Sequence, residues 1–149
     1  MAQRFKPAFP GEVPTLGRGV IDWMTDMLAT PDREEYVPFV LTREMAEFIL
    51  NFYRLDPVTG RRVIRRGVIS RPKGWGKSPF LSAIAIAEGL APVVFDGWDA
   101  DGRPVGKPWS RVRTPLVHLL AVSESQTANA WVPMLEMIRQ LSLIHISEP

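Results

Sequence analysis

Apolar residues recur at helical spacing in several places along the chain, which predicts amphipathic helices. The first is residues 16–28, with the sequence LGRGVIDWMTDML. The second is residues 42–54, where Thr42 is a predicted N-cap. A third begins just after Lys77 and runs for about four turns. A fourth is predicted to follow SESQTAN near the end of the chain.

Two apolar runs lack helical spacing and predict β-strands. The first is RRVIRRGVIS at residues 61–70, and the second is PLVHLLAV at residues 115–122, which is typical of a buried parallel strand. Between them, residues 95–110 are polar and turn-rich and predict a surface loop. Because strands alternate with helices, we expect an α/β domain with a parallel sheet.

Composition narrows the class of protein. Hydrophobic residues make up 46% and charged residues 23% of the 149 residues, as in ordinary globular proteins. The absence of cysteine excludes disulfides and thiolate metal sites. The N-terminal sequence lacks the apolar core of a signal peptide, and no apolar run approaches the roughly 18 residues of a membrane helix. We therefore expect a soluble protein that carries no export signal.

Charge is distributed unevenly, although Lys and Arg exceed Asp and Glu by only 18 to 16. Residues 61–77 hold seven basic side chains and no acidic one. Such a cluster can bind phosphates or nucleic acid. It can equally be a solvated strand edge that is kept from aggregating by its charge.

The segment SRPKGWGKS, residues 70–78, has the form of a phosphate-binding loop, G-x-x-x-x-G-K-[ST], except that Arg71 replaces the first glycine. Gly74 and Gly76 supply backbone freedom, and Lys77 would reach the β- and γ-phosphates. Ser78 would ligate Mg²⁺. The helix that follows adds unpaired N–H groups and a favourable dipole, and Pro79 is compatible with its first turn.

Arg71 and Lys73 place two cations near the expected γ-phosphate, where a cation stabilises transition-state charge in phosphoryl transfer. Trp75 contacts either the base or DNA, or else covers an apolar neighbour. The order strand, loop, helix favours nucleotide binding over a chance GKS tripeptide. The predicted nucleotide-binding residues are Arg71, Pro72, Lys73, Gly74, Trp75, Gly76, Lys77, Ser78 and Pro79, with Lys77 and Arg71 as catalytic residues and Ser78 as the magnesium ligand.

Three segments together resemble the N-terminal ATPase region of tailed-phage terminase large subunits, the motors that package DNA into procapsids. They are FVLTREMAEFILNFYRLDP, RRVIRRGVISRPKGWGKSPFLSAIAIAEGL and PLVHLLAVSESQTANAW. The resemblance covers residues 37–140, and basic residues early in the first nucleotide motif are a habit of that family. It implies a P-loop NTPase-like parallel sheet flanked by helices, incomplete in this chain, with ATP and Mg²⁺ as cofactors.

The resemblance also implies roles for residues outside the loop. Phe39 and Met45 would lie on the adenine side, and Met45 stands where the family often has glutamine. Ser123 and Gln126 would couple the nucleotide state to DNA, although helix capping explains Ser123 and Ser125 at least as well. The implied partners are double-stranded DNA, the small terminase subunit, the portal protein and further copies in a ring. The implied location is the cytoplasm of the bacterial host, away from membranes.

Several family features do not occur in these 149 residues. The family motor has an apolar strand ending in Asp-Glu and a C-terminal nuclease domain; Asp96 lies in a turn-rich segment and is not expected to be the metal carboxylate. The last residues, LSLIHISEP, resemble translated sequencing-adapter sequence. His118, in the second predicted strand, is expected to be a core histidine.

We therefore expect an arm and short helix at 1–36, a partial P-loop ATPase domain at 37–140 and a non-native tail at 141–149. Taken alone, this chain is expected to bind nucleotide weakly and not to turn it over. The alternatives are another P-loop protein, such as a helicase-like motor or a small-molecule kinase, and a non-catalytic DNA-binding module that uses the arginines of residues 61–66.

Overall fold

The computed structural model describes residues 4–29, 39–72, 74–118, 135 and 137. Within these residues the chain forms three α-helices, a two-stranded β-hairpin and a short 3₁₀ turn. In chain order they are α1 (Gly17–Met27), α2 (Arg43–Phe52), α3 (Lys77–Leu90), β1 (Val94–Trp98), β2 (Pro104–Lys107) and the 3₁₀ turn Trp109–Arg111.

The three helices confirm the first three helical predictions. In α2 the predicted cap is present, because the Thr42 hydroxyl accepts a hydrogen bond of 3.3 Å from the backbone N–H of Met45. Glu44 lies in the first turn of α2, where the helix dipole favours a negative charge. The buried stripe of α2 is Met45 and Ile49, and the buried stripe of α1 is Val20 and Met24.

Helices α1 and α2 pack directly against each other, and Gly17 makes this close contact possible. A Cβ atom at Gly17 would lie 2.7 Å from the Cα of Leu50 and 2.8 Å from the carbonyl oxygen of Ile49. Helix α3 completes the core with Phe80 and other fully buried side chains. The core is therefore made by helix-on-helix packing.

A hydrogen-bonded group fixes α3 to the end of α2. The Tyr53 hydroxyl donates to the Glu88 carboxylate at 2.8 Å, and Arg62 Nη1 donates to the same oxygen at 3.0 Å. The guanidinium of Arg62 lies over the rings of Phe52 and Tyr53, at 4.8 and 4.5 Å from their centroids. Burial, assisted by the Glu88 charge, raises the pKa of Tyr53, so the phenol remains protonated and continues to donate.

The β-structure of the described residues differs from the predicted parallel sheet. Strands β1 and β2 pair antiparallel, with Val94 opposite Lys107 and Phe95 opposite Gly106. They are joined by a turn in which the Asp99 side chain accepts hydrogen bonds of 2.9 Å from the backbone N–H groups of Asp101 and Arg103. The P-loop NTPase-like parallel sheet predicted from the sequence is wrong, and so is the surface loop predicted at residues 95–110.

Neither predicted parallel strand forms within the described residues. Residues 64–70 have no assigned strand and no ladder partner, and the described part of the second predicted strand, residues 115–118, is also irregular. A parallel strand needs a neighbour brought alongside by a crossover connection, and an apolar sequence cannot guarantee that neighbour. His118, predicted to lie in the core, is exposed, and Asp96 pairs with Lys107 at 3.2 Å on the hairpin surface.

An ion pair between Arg103 and Glu12 joins the N-terminal arm to the hairpin. Arg103 donates through both terminal nitrogens to the Glu12 carboxylate, at 2.8 and 2.7 Å, and it also donates to the carbonyl oxygen of Lys6. The Glu12 side chain is only 6% exposed. Hydrogen bonds, first from Arg103 and then from the backbone of Ala8, lower the pKa of Glu12 from 4.5 to about 2.

Some predicted elements lie outside the described residues. They are the C-terminal half of the second predicted strand, the helix after SESQTAN apart from residues 135 and 137, and the tail at 141–149. Within the part of the chain that the structure describes, no helix has both the length and the apolar content that crossing a membrane requires.

The close approach at Gly17 gives a test with a matched control on the same helix. Gly17→Ala should lower the free energy of unfolding by about 1–3 kcal/mol, because the new methyl group collides with the backbone of α2. Gly19→Ala should raise it by up to about 1 kcal/mol, because alanine favours helix and a Cβ there has no atom within 4 Å. Urea unfolding followed by circular dichroism measures both; equal effects would contradict this packing.

The Glu12–Arg103 pair predicts a dependence of stability on pH. The folded-state pKa of Glu12 is depressed, so the pair stabilises the fold fully above the unfolded-state value of 4.5 and ceases to do so as the pH falls through about 2. Glu12→Gln should therefore destabilise the protein at pH 7 and flatten the loss of stability between pH 5 and pH 2. Thermal unfolding at several pH values measures this, and an unchanged profile would refute it.

Candidate phosphate-binding loop

Directly before α3, which begins at Lys77, the chain forms a tight loop whose described residues are 70–72 and 74–76. Two of its glycines have positive φ, at +90° for Gly74 and +98° for Gly76, a region that side chains with a Cβ rarely adopt. The backbone N–H of Trp75 donates to the carbonyl oxygen of Pro72 at 3.2 Å and closes the turn. The two glycines predicted from the motif are therefore in the conformation for which glycine is required.

The start of α3 presents backbone donors without helical partners. Gly76 is the N-cap and has no side chain to accept a hydrogen bond, and the first helical bond runs from the N–H of Phe80 to the carbonyl oxygen of Gly76. The N–H groups of Lys77 and Ser78 precede that bond, and Pro79 has no N–H. Lys77 and Ser78 therefore lie in the first turn, where the helix dipole favours an anion.

Arg71 does not point freely into solvent. Its Nε donates to Glu44 Oε2 at 3.1 Å, and the two side chains are 48% and 55% exposed. Glu44 belongs to the first turn of α2, so this ion pair joins the loop to that helix. In this structure the predicted catalytic cation is neutralised by a carboxylate that the sequence analysis did not place at the site.

Trp75 is held by the same carboxylate. Its indole Nε1 donates to Glu44 Oε2 at 3.0 Å, and its ring lies edge-on to Phe80 with the centroids 5.9 Å apart. The Arg71 guanidinium is 5.9 Å from the Trp75 ring centroid. Of the two interpretations of Trp75, the structure contains the contact with an apolar neighbour, together with a hydrogen bond to α2.

The two residues proposed for the adenine side are both buried. Phe39 is 6% and Met45 7% exposed. The Met45 methyl group lies 3.3 Å from the position that a Cβ on Gly76 would occupy, so Met45 packs beneath the loop. Three further predicted residues, Lys73, Ser123 and Gln126, lie outside the described residues.

The basic cluster at residues 61–66 divides into two groups. Arg62 is committed to Glu88 and to the aromatic rings described above. Arg61, Arg65 and Arg66 are exposed and make no ion pair within the described part of the chain. These three side chains form the basic surface that remains accessible.

The relatives of this chain are phage proteins. It is 37% identical over 138 residues to the Gene 13 protein of Mycobacterium phage L5, and 34% identical over 136 residues to the Gene 13 protein of Mycobacterium phage D29. Each match covers 78% of this chain, which spans only 22% of the length of the curated relatives. No protein-family model and no solved structure matches the chain.

Replacing Glu44 should release the loop without unfolding the protein. Because a half-exposed ion pair contributes about 0–1 kcal/mol, Glu44→Ala should change global stability little. Amide hydrogen exchange of Arg71, Gly74, Trp75 and Gly76 should quicken several-fold as Arg71 and Trp75 lose their acceptor. Glu47→Ala, which removes the Arg43 partner on the same helix, is the control and should leave this exchange unaltered. Equal exchange in both variants would contradict the role of Glu44.

Proposed function

We propose that this chain is the part of a phage terminase large subunit that carries the phosphate-binding loop of its ATPase. Three resemblances of sequence support the proposal, together with the phage origin of both much longer relatives. The whole protein would hydrolyse ATP to move double-stranded DNA into the procapsid. It would work with a small subunit and a portal protein, as a ring of copies in the host cytoplasm, and a nuclease would lie beyond this segment.

The observation that carries the proposal is the junction of the glycine loop with α3. Two glycines with positive φ precede a helix of 14 residues, and its unpaired first-turn N–H groups lie beside Lys77 and Ser78. This arrangement suits the terminal phosphates of ATP, since it combines backbone donors, a cation and a helix dipole. Lys77 would bind the β- and γ-phosphates, and Ser78 would ligate Mg²⁺.

The described residues of the proposed site are 70–72 and 74–79. Within the described residues no group of three or more acidic or imidazole side chains is placed to hold a metal ion. Mg²⁺ would therefore depend on Ser78 and on the oxygens of the nucleotide itself. This dependence agrees with the expectation that the chain alone binds nucleotide weakly.

Arg71 would have to exchange one anion for another. Its ion pair with Glu44 is half exposed, so it contributes about 0–1 kcal/mol, and a phosphate is a strong competitor for a guanidinium. Arg71 would then serve the γ-phosphate, and Trp75 would lose one neighbour at the same time. Nucleotide binding would thus loosen the contact between the loop and α2.

A second candidate function is supported by a separate observation. Arg61, Arg65 and Arg66 are exposed on one short segment, and none has a carboxylate partner among the described residues. Such a surface suits the phosphate backbone of DNA independently of any nucleotide. A non-catalytic DNA-binding module would use these side chains and would not respond to ATP and Mg²⁺.

The loop proposal predicts that Lys77→Ala weakens the binding of ATP and Mg²⁺. The loss of one charge-assisted hydrogen bond, about 1.5–3 kcal/mol, corresponds to a roughly 10- to 100-fold lower affinity. Isothermal titration of the full chain measures this affinity. Lys6→Ala, an exposed lysine on the N-terminal arm, is the matched control and should bind like the unaltered protein.

Two results would overturn the loop proposal. One is an affinity for ATP and Mg²⁺ that is the same in Lys77→Ala as in the unaltered chain. The other is DNA binding that shows no change on addition of ATP and Mg²⁺, combined with no detectable nucleotide binding. The second result would favour the non-catalytic DNA-binding module.

A further inference from the structure

A groove of about 750 Å³ lies beside the second half of α3, whereas the phosphate-binding loop lies at the N-terminus of that helix. Its walls are residues 59–62, 64 and 65, the second half of α3, the start of β1 and Trp109. Of the described residues of that loop, 70–72 and 74–79, none lines the groove. The groove is therefore a separate surface from the site proposed for ATP.

The floor of the groove is apolar and partly accessible. Phe52, Ile84, Val94, Phe95 and Trp109 pack against the buried core, yet each keeps part of its surface open. Together they bring three aromatic rings to one concave surface. Surfaces of this kind bind ligands that bury apolar side chains.

The rim of the groove carries uncompensated positive charge. Arg61 and Arg65 are exposed and have no ion-pair partner within the described residues, whereas Arg62 is balanced by Glu88. In addition, Arg62 Nε is buried and has no hydrogen-bond partner among the residues that the structure describes. The occupant that complements this rim must carry negative charge beside its apolar groups.

The backbone next to the groove has hydrogen-bonding groups that lack partners among the described residues. Residues 64–69 form no hydrogen bond through their backbone N–H and C=O groups to any other described residue. Val68 is 76% exposed and Ile64 lines the groove. A segment with unpaired amide groups is a template for strand addition.

We propose that this groove binds an extended polypeptide segment in which acidic and apolar side chains alternate. The segment would pair with the backbone of residues 64–69, place its apolar side chains on the groove floor and direct its carboxylates to Arg61 and Arg65. Alternation follows from strand geometry, because successive side chains point to opposite faces. The charge of the rim argues against a second copy of this chain, since pairing of two such segments would bring their arginines together.

A fluorescein-labelled peptide of sequence EVEVEVEV is the probe. Its binding to the full chain is measured by fluorescence anisotropy, with KVKVKVKV and ESESESES as matched peptides that alter only the charge or only the apolar groups. The proposal expects binding of EVEVEVEV at least tenfold tighter than that of either control. Equal binding of EVEVEVEV and KVKVKVKV would overturn it.

Two further comparisons test the geometry. The double variant Arg61→Glu, Arg65→Glu should weaken peptide binding at least tenfold, whereas Arg4→Glu, an exposed arginine on the N-terminal arm, should change it less than twofold. Two peptides are compared, one with backbone N-methylation at the odd positions and one at the even positions. Only one of them should lose binding, because only alternate amides face the pairing strand. Equal effects of both methylation patterns, or an unaffected double arginine variant, would overturn strand addition.

Two other occupants would be recognised by the same set of measurements. In sedimentation, the unliganded chain should form no dimer that dissociates when EVEVEVEV is added. Such a dimer would assign the groove to a second copy of the chain instead. A single-stranded oligonucleotide should not displace the peptide. Displacement that is lost in the double arginine variant would reassign the surface to nucleic acid.

Discussion

The carboxylate of Glu88 holds α3 to the end of α2. One of its oxygens accepts hydrogen bonds from Tyr53 at the end of α2 and from Arg62 in the segment that follows. Because Arg62 also stacks on the rings at the end of α2, the carboxylate, the phenol and the guanidinium fix α3 against α2. Removing one member of this group would leave a partly buried donor or acceptor without its partner, which costs stability. The chain between Arg62 and Lys77 therefore begins at the Glu88 group and ends at the start of α3. The glycine loop lies at the second of these ends.

The candidate phosphate-binding loop combines a fixed backbone conformation with a charged side chain that is held by a partner from another helix. The positive φ angles of Gly74 and Gly76 and the open first turn of α3 belong to the backbone and do not depend on any side-chain partner. The position of Arg71, by contrast, is set by Glu44, which is contributed by a different helix. A phosphate at the helix N-terminus would therefore meet a preformed set of N–H donors and a cation that is already engaged elsewhere. Any affinity of the loop for anions would therefore depend on α2 as well as on the motif.

How much the sequence could predict depended on how local each interaction is. The helices were predictable, because apolar spacing and the Thr42 cap act within a few residues. The parallel sheet was wrong, because each strand needed a distant partner that its own sequence cannot supply. The hairpin has a local signal in the sequence, the turn pair Asp101-Gly102, which the prediction of a surface loop did not use. The glycines of the loop followed from their motif, whereas Glu44 lies 27 residues from Arg71 and has no periodic relation to it.

The exposed segment at residues 64–69 also bears on the behaviour of the protein in concentrated solution. Val68 and the amides around it, which have no backbone partner in the part of the chain that the structure describes, form a short β-prone stretch of the kind that starts intermolecular cross-β association. Arg65 and Arg66 sit within that stretch, where like charges repel an approaching identical strand. The two arginines thus act as gatekeepers against self-assembly. Screening by salt weakens that protection over a Debye length of about 8 Å at physiological ionic strength, so the colloidal stability of this chain is tied to the ionic strength of its surroundings.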